Sequence, residues 1–416
     1  MKKHIFFVAA FLLHINLYTQ WIDCTRDSLG YIPLNDLGIN FYLGEQGGLY
    51  PGGLNSMPSG HLNAGKKLSK QILPLNSDGS IDSENGKVVF VALGSSVGGY
   101  TFDSFIQTYQ SSELINPCMV LANGNYGSRG VDDMLDTIGT YWDFVMNKLL
   151  DTFSVTPQQV QIIWLKNISR TDTILDFPFH PQSVSNHFIE LQAILKIKFP
   201  NLKQVYLTSN HYGGYTSPTN KNFKRLGEPA SYYNGFAIKW TIAEQLAGNP
   251  LLKYKGPGAK SAWMAWGPYV WADGINPRAD GLQWFCSDFD STGYHLSEEG
   301  KTKEATILFN YLISSQTSKE WFKNSAKWNA CNPLRTSETI NTESDNLFQI
   351  YDHTICLNTT LKIVSCHAFT SEGRHLSFSW ENEQCITLDA PANTLFILQC
   401  VLEDGSVKTY KGLFLQ

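Results

Sequence analysis

Apolar runs that recur between longer amphipathic segments constrain the fold of this 416-residue chain most. The runs are largely apolar along their whole length, which is typical of strands buried on both faces of a parallel sheet. Four of them, followed by a fifth candidate, are KVVFVAL (87–93), CMVLAN (118–123), VQIIWL (160–165), QVYLTS (204–209) and AWMAWG (262–267).

The segments between and after these runs predict helices. Apolar residues recur at helical spacing over 131–153 and 184–199, and a further helix is expected over 305–315. Because strands and helices alternate, we predict an α/β fold with a doubly wound parallel sheet over residues 21–330.

The composition changes after about residue 330. The polar segment LRTSETINTESDN (334–346) has no periodicity, and we place a linker over 331–346. Residues 347–416 contain short alternating segments, which predict a small antiparallel β domain. Its last hairpin is marked by the Asp-Gly pair in EDGS (403–406).

The first twenty residues have the pattern of a signal peptide. Lys2 and Lys3 precede the short apolar run IFFVAAFLL, so we predict export, with the protein secreted or held at the cell surface. No later segment approaches the roughly 18 consecutive apolar residues of a membrane span. The eight cysteines include no C-x-x-C pair, which argues against a zinc site. An even number of cysteines in an exported chain predicts some disulfides, whose pairing the sequence does not assign. The formal net charge of −5 argues against a nucleic-acid partner.

Polar residues and glycines follow several of the predicted strands. Ser96 lies in VALGSSVGGYTF (91–102), Gly127 in LANGNYGSRG (121–130) and Asn167 in WLKNISR (164–170). His295 lies in DFDSTGYHLSEEG (288–300), ahead of the last predicted helix. Parallel strands end at one edge of a sheet, where a Ser and a His can meet as nucleophile and base. Each stretch alone also fits an ordinary loop, and the neighbouring Lys166 fits a solvated surface charge.

Taken together, this ordered set resembles the SGNH (GDSL-like) hydrolases over roughly residues 35–320. The resemblance implies a flavodoxin-like three-layer α/β/α fold without a metal or organic cofactor. It implies Ser96 as nucleophile, His295 as base, and Gly127 and Asn167 as oxyanion donors. Ser95 replaces the family's Asp in the Gly-Asp-Ser motif, and the usual Gly-x-Asn-Asp string is absent around Asn167.

Two further resemblances concern longer segments. GGLYPGGLNSMPSGH (47–61) and WMAWGPYVWADGINPRADGL (263–282) are similar to strings in secreted SGNH-like proteins of largely uncharacterised activity. The last seventy residues resemble a type IX secretion sorting domain, which implies contact with the secretion machinery. A cell-surface anchor is the alternative role for this domain.

Thr292 occupies the position where the family has the Asp that orients the catalytic His. We expect Asp290 to reach His295 instead. Asp288 is a second candidate, and a backbone carbonyl that orients the imidazole in a Ser–His dyad is a third alternative. Loss of catalysis is the fourth, since an orienting acid can contribute on the order of 10⁴ in rate.

A string of aromatic residues after the last strand has two interpretations. The rings either line a cleft and stack on sugars, or cover the end of the sheet and close the core. The first interpretation predicts four substrate-binding residues: Trp266, Tyr269, Trp271 and Arg278. The sequence thus predicts a secreted serine esterase that hydrolyses an ester, with O-acetyl as one candidate, on a carbohydrate or similar polar substrate. The alternative is a non-catalytic glycan-binding protein on the same scaffold.

Overall fold

The computed structural model describes residues 21–331 and, nearer the C-terminus, 348–351, 354–357, 361–370, 375–389, 395–404 and 406–413. The chain divides into two compact units, 1–332 and 333–416. The predicted signal peptide and nearly all of the predicted linker lie outside the described residues. Among the helices that are described, none is long and apolar enough to cross a membrane.

The first unit begins with small elements that precede the main sheet. They are α1 (Leu34–Leu37), the antiparallel pair β1 (Phe41–Tyr42) and β2 (Glu45–Gln46), and α2 (Ser59–Ser69). The central sheet then comprises β3 (Val88–Gly94), β4 (Met119–Asn123), β5 (Val160–Lys166), β6 (Gln204–Leu207) and β7 (Trp263–Trp266). All neighbours in it are parallel, in the order β4-β3-β5-β6-β7. This is the flavodoxin-like strand order, and the predicted fold class is confirmed.

Helices cover both faces of the sheet. They are α3 (Ser96–Tyr109), α4 (Thr140–Asp151), α5 (Phe179–Lys198), α6 (Ala230–Leu246), α7 (Glu298–Ser314) and α8 (Lys319–Phe322). Alternate residues of β3 point to opposite faces. Val89, Val91 and Leu93 join a core with α4, α5 and α6, whereas Val88, Phe90 and Ala92 join one with α3 and α7. Every residue of β3 is buried, which explains its continuous apolar run.

The helix predicted over 131–153 is interrupted. A short 3-10 turn covers Asp132–Met134, and α4 begins only at Thr140, after Gly139 in an extended conformation. The Asp136 side chain accepts a hydrogen bond from the backbone N–H of Ile138, at 3.2 Å. Such side-chain hydrogen bonds compete with the backbone hydrogen bonds of a helix. The helical spacing of apolar residues therefore continues across a segment in which the helix itself is interrupted.

The C-terminal unit contains two antiparallel sheets, as predicted for a small β domain. One has the order β11-β12-β9-β8, formed by β8 (Phe348–Tyr351), β9 (Thr354–Leu357), β11 (Ser377–Trp380) and β12 (Cys385–Asp389). The other has the order β10-β13-β14, formed by β10 (Ile363–Thr370), β13 (Leu395–Leu402) and β14 (Val407–Leu413). The expected last hairpin joins β13 and β14, although Gly405 in its turn lies outside the described residues.

All eight cysteines form disulfides, and each bond stays within one unit. In the first unit the pairs are Cys24–Cys286 and Cys118–Cys331. In the second unit Cys356–Cys385 and Cys366–Cys400 join residues directly opposite each other on neighbouring strands. Four disulfides are typical of a protein that folds in an oxidising compartment.

Candidate active site

A sharp turn from strand to helix positions Ser96. β3 ends at Gly94, which has φ of +143°, and Ser96 is already the first residue of α3. A Cβ at Gly94 would collide with the backbone carbonyl of Lys166, so glycine is needed here on two counts. The turn lies at the carboxyl end of β3, beside the point where the strand order reverses, which is where open α/β sheets bind ligands.

Ser96 meets His295 at this edge of the sheet. The Oγ of Ser96 lies 2.9 Å from Nε2 of His295, although the two residues are 199 positions apart in sequence. Ser96 is half-buried, and the His295 side chain is 13% exposed. A hydroxyl that donates to a neutral imidazole at this distance has the geometry of a nucleophile and its general base.

The acid beside His295 is Asp290, but it is not in direct hydrogen-bond contact. Its Oδ2 lies 3.9 Å from Nδ1 of His295, beyond hydrogen-bond range, and its side chain is 41% exposed. Its Oδ1 accepts from the backbone N–H (2.8 Å) and the hydroxyl of Thr292. The Thr292 hydroxyl oxygen in turn accepts from the backbone N–H of His295 at 3.0 Å. Thr292 therefore shapes the loop that carries the imidazole.

Asp288, the second candidate acid, is engaged elsewhere. Its Oδ2 pairs with Nζ of Lys303 at 2.7 Å and accepts from the backbone N–H of Phe285 at 2.8 Å. Of the two carboxylates that the sequence offered for orienting His295, the structure places Asp290 beside the imidazole.

Phe223 and Tyr100, which are distant in sequence from His295, pack edge to face against its imidazole. The ring of Phe223 lies 4.9 Å and that of Tyr100 lies 5.3 Å from it, centroid to centroid. Burial lowers the pKa of His295 below its ordinary value of 6.5, and Asp290 opposes this shift. The imidazole is therefore mainly neutral at pH 7, as a general base requires.

The backbone N–H groups of Ser96 and Gly127 are the two main-chain donors that the family pattern implies for an oxyanion. The first turn of a helix has no intrahelical acceptors for its N–H groups. Within residues 21–331, no acceptor binds the N–H of Ser96 or that of Gly127. Gly127 lies in an exposed turn after β4, the strand next to β3.

The structure does not support Asn167 as an oxyanion donor. Its side chain is fully buried, its Nδ2 faces Sδ of Met134 at 3.3 Å, and its Oδ1 accepts from the N–H of Ile168 at 2.9 Å. The amide is thus turned into the core and is not free to donate at Ser96. This corrects the expectation drawn from the family pattern, which the missing Gly-x-Asn-Asp string had already weakened.

An asparagine pair at the end of β4, formed by Asn123 and Asn125, supports the start of α3 instead. The Nδ2 of Asn123 donates to the carbonyl of Gly99 at 3.0 Å and to Asp103 at 2.6 Å. Its Oδ1 accepts from the Nδ2 of Asn125 at 2.9 Å. A Cβ at Gly98 would come within 2.7 Å of Asn125 Oδ1, so the pair packs against the helix turn that carries Ser96. The available signal was the spacing Asn-Gly-Asn directly after a buried strand.

The four residues expected to bind substrate belong to the core. Trp271 is fully buried, and its Nε1 donates to Glu228 at 2.7 Å. The indole of Trp266 donates to the carbonyl of Leu49 at 2.7 Å. The hydroxyl of Tyr269 accepts from the N–H of Leu34 at 3.0 Å. Trp266 and Tyr269 are 3% and 5% exposed, so they offer little ring surface for stacking on a sugar even where they border a groove.

Arg278 also has a structural role. Its guanidinium donates to the carbonyls of Tyr269 (2.6 Å) and Trp271 (3.1 Å) and pairs with Asp280. Arg278 and Tyr269 border a groove of about 560 Å³, together with Trp266. Neither Ser96 nor His295 lines this groove, so the expected role of these residues in substrate binding at the catalytic pair is corrected.

Lys166 is not a surface charge. It is fully buried, and it pairs with Glu304 beside His211. Sequence reasoning missed both partners. His211 could have been noticed because it follows a buried strand at the same sheet edge, whereas nothing in the sequence singles out Glu304 from the other acidic residues of its helix.

The comparisons with known proteins give a few structural neighbours, and the three described here are distant. No family model matches the sequence, and no curated protein is significantly similar to it. A protein from Arabidopsis thaliana is 11% identical, with a TM-score of 0.27, over 52% of this chain and 67% of its own. An acetyl xylan esterase, AlAXEase, is 12% identical, with a TM-score of 0.27, over 54% of this chain and 100% of its own.

A third neighbour is a modular endo-β-1,4-mannanase from Cellulomonas fimi. It is 9% identical, with a TM-score of 0.19, over 72% of this chain and 54% of its own. At such low scores these likenesses carry no argument about activity, and the chemistry has to be derived from the side chains at the edge of the sheet.

Proposed function

We propose that this chain is a serine ester hydrolase in which Ser96 is the nucleophile and His295 the general base. The observation that carries the proposal is the 2.9 Å contact between Ser96 Oγ and His295 Nε2, at the carboxyl edge of a parallel sheet. Assignment to the SGNH hydrolases is part of this proposal.

The reaction proceeds in two halves. Ser96 Oγ attacks the acyl carbon and its proton passes to Nε2 of His295, while the N–H groups of Ser96 and Gly127 stabilise the oxyanion. The intermediate collapses when His295 returns the proton to the leaving alcohol, which leaves an acyl group on Ser96. Water then attacks this ester with His295 again as base, and the carboxylic acid is released. Asp290 stabilises the imidazolium from a distance.

The proposed substrate is a short-chain ester, such as an O-acetyl group, on a carbohydrate or similar polar alcohol. Tyr100 supports this choice, because it lies one helical turn after Ser96, touches His295 edge to face and is 44% exposed. The Nζ of Lys301 lies 5.0 Å from the centre of its ring. An exposed ring with a nearby cation offers stacking and polar contacts to a hydroxyl-rich leaving group.

Export and the role of the C-terminal unit remain predictions. The two-sheet unit contributes none of the residues assigned to the reaction, which is compatible with an address or an anchor. Mass analysis of the mature protein from its native host would distinguish them, because an address used in secretion is expected to be removed near residue 335.

The decisive experiment compares Ser96→Ala with its neighbour Ser95→Ala in the hydrolysis of p-nitrophenyl acetate. Ser95 is a matched control because its side chain makes no capping hydrogen bond. We expect Ser96→Ala to lose on the order of 10³-fold or more in kcat, and Ser95→Ala to stay near wild type. A fluorophosphonate should label the wild type at Ser96 alone. Equal turnover by Ser96→Ala and wild type would refute the proposal.

A glycan-binding protein without catalysis is the second candidate. The 3.9 Å gap between Asp290 and His295, with Thr292 in the family's Asp position, favours it. It predicts that acetylated xylo-oligosaccharides bind with equal affinity to wild type and Ser96→Ala in calorimetry, with no release of acetate.

A further inference from the structure

Three ionisable side chains form a buried cluster behind the candidate active site, and the reaction described above does not use them. Lys166 is the last residue of β5, His211 follows β6, and Glu304 lies in α7. Their exposed fractions are 0%, 1% and 1%. We call Lys166, His211 and Glu304 the buried triad.

The contacts within the triad lead to the backbone beside His295. Lys166 Nζ pairs with Glu304 Oε1, and Nδ1 of His211 lies 3.2 Å from Lys166 Nζ and 3.0 Å from Glu304 Oε2. The Nε2 of His211 lies 2.9 Å from the carbonyl oxygen of Tyr294, the residue that precedes His295. A carbonyl only accepts hydrogen bonds, so Nε2 of His211 carries the proton.

Stability alone is a weak reason for such a cluster. Burying an ion pair costs desolvation that its attraction often fails to offset, and apolar residues of similar volume are frequently as stable. Burial lowers the pKa of His211 and Lys166 lowers it further, whereas the hydrogen bonds to Glu304 and to the Tyr294 carbonyl oppose this shift. In either protonation state Nε2 donates to the Tyr294 carbonyl, while Nδ1 lies between Lys166 Nζ and Glu304 Oε2. Contacts at both ring nitrogens therefore fix the orientation of the imidazole.

The location of the triad gives this rigidity a use. Glu304 belongs to the helix that begins just after His295, and the carbonyl of Lys166 lies against Gly94, two residues before Ser96. The triad thus ties together the strand ends on which the nucleophile and the base depend. Because Asp290 is half-exposed and outside hydrogen-bond range, the imidazole lacks the close carboxylate that usually orients it.

We infer that the buried triad is a positioning unit for catalysis: His211 holds the Tyr294 carbonyl, and thereby keeps Nε2 of His295 at Ser96, while Lys166 and Glu304 hold His211. The inference rests on the proposed function, since it assumes that His295 is the base. None of the three residues touches substrate.

The test compares His211→Phe with His61→Phe. His61 is a matched control, because it is also a buried histidine whose Nε2 bonds a backbone carbonyl, that of Met264, at 2.7 Å. It stacks on Trp263 at the start of the edge strand β7, away from the carboxyl edge. Both variants should lower the thermal midpoint. Only His211→Phe should lower kcat for p-nitrophenyl acetate, by about 10- to 100-fold, with little change in KM.

Two further variants keep the test informative if His211→Phe does not fold. His211→Gln provides an amide that can donate to the same carbonyl, so it should recover part of kcat. Glu304→Gln keeps the shape of the side chain but leaves the positive charge of Lys166 beside His211 without a carboxylate partner. It should therefore lower kcat and move the acidic limb of the pH profile of kcat/KM.

The outcomes separate this inference from the proposed function. If folded His211 and Glu304 variants keep the wild-type kcat and pH profile, the triad is merely structural and the inference is wrong. The inference also fails if His61→Phe loses as much kcat as His211→Phe. Inactivity of Ser96→Ala beside full activity of His211→Phe would overturn only the positioning role, whereas an active Ser96→Ala would remove the proposed function itself.

Discussion

Replacing Asp290 by Asn tests how the imidazole is supported. The substitution removes one negative charge 3.9 Å from Nδ1 of His295. The carbonyl oxygen of the new amide can still accept from the backbone N–H and hydroxyl of Thr292, so the loop should keep its shape. The change is therefore close to a pure removal of charge.

The expected loss follows from distance and exposure. Two unit charges about 4 Å apart attract by about 1 kcal/mol in water and by about 4 kcal/mol at the effective dielectric constant of a protein surface. Because the carboxylate is 41% exposed, water screens it and the lower end of this range applies. About 1.4 kcal/mol corresponds to a tenfold loss of kcat. A buried, hydrogen-bonded acid would instead contribute on the order of 10⁴.

The assay is the pH dependence of kcat/KM for p-nitrophenyl acetate. In the wild type, burial holds the pKa of His295 below 6.5 while Asp290 raises it. Activity needs the neutral imidazole, so it falls as the pH drops through this pKa. Without Asp290 the pKa decreases further, and the acidic limb of the Asn variant should move to lower pH while its plateau falls about tenfold.

Asp288→Asn is the control, because Asp288 pairs with Lys303 and should leave the plateau unchanged. A loss above about 10³-fold in Asp290→Asn would mean that the acid closes on the imidazole during the reaction, as in a full triad. No loss and no shift of the limb would mean that Asp290 does not support His295. Either result would refute the reasoning.

Two other perturbations give further expected outcomes. Tyr100→Ala should raise KM for an acetylated oligosaccharide about 2- to 10-fold through lost stacking, but not for ethyl acetate; equal losses on both would show that Tyr100 acts only on His295. Replacing Cys118 and Cys331 by Ser opens a loop with a sequence separation of 213 and should lower the free energy of unfolding in urea by about 2–5 kcal/mol. An unchanged urea midpoint would contradict the stabilising role of that bond.

The fold could be predicted from sequence because buried parallel strands leave a direct trace. The run at 160–165 became β5 over Val160–Lys166, every residue of which is buried. The helix predicted over 131–153 failed where Asp136 and Gly139 form a turn inside a periodic apolar pattern. The spacing of apolar residues indicates which face of a helix would be buried. It contains no information about the local hydrogen bonds that end a helix.

The site was only partly accessible to the same reasoning. The proximity of Ser96 and His295 was expected from the resemblance of the ordered set of loops to the SGNH hydrolases. The role of the aromatic residues around the end of β7 was ambiguous, because a buried ring such as Trp271 and an exposed ring give the same sequence pattern. Only their packing in the structure distinguishes them. Tyr100, the exposed ring beside His295, was missed because it lies within a helix that gave no separate signal.

The placement of the disulfides has a consequence for the fate of the chain. No sulfur bond joins the two units, since the first closes at Cys331 and the next cysteine, Cys356, pairs within the second. A single proteolytic cut between these two cysteines would therefore leave two fragments that no disulfide holds together, even under oxidising conditions. The fragment that carries Ser96 and His295 would keep both of its own cross-links, Cys24–Cys286 and Cys118–Cys331, so such a cut would leave the first unit cross-linked.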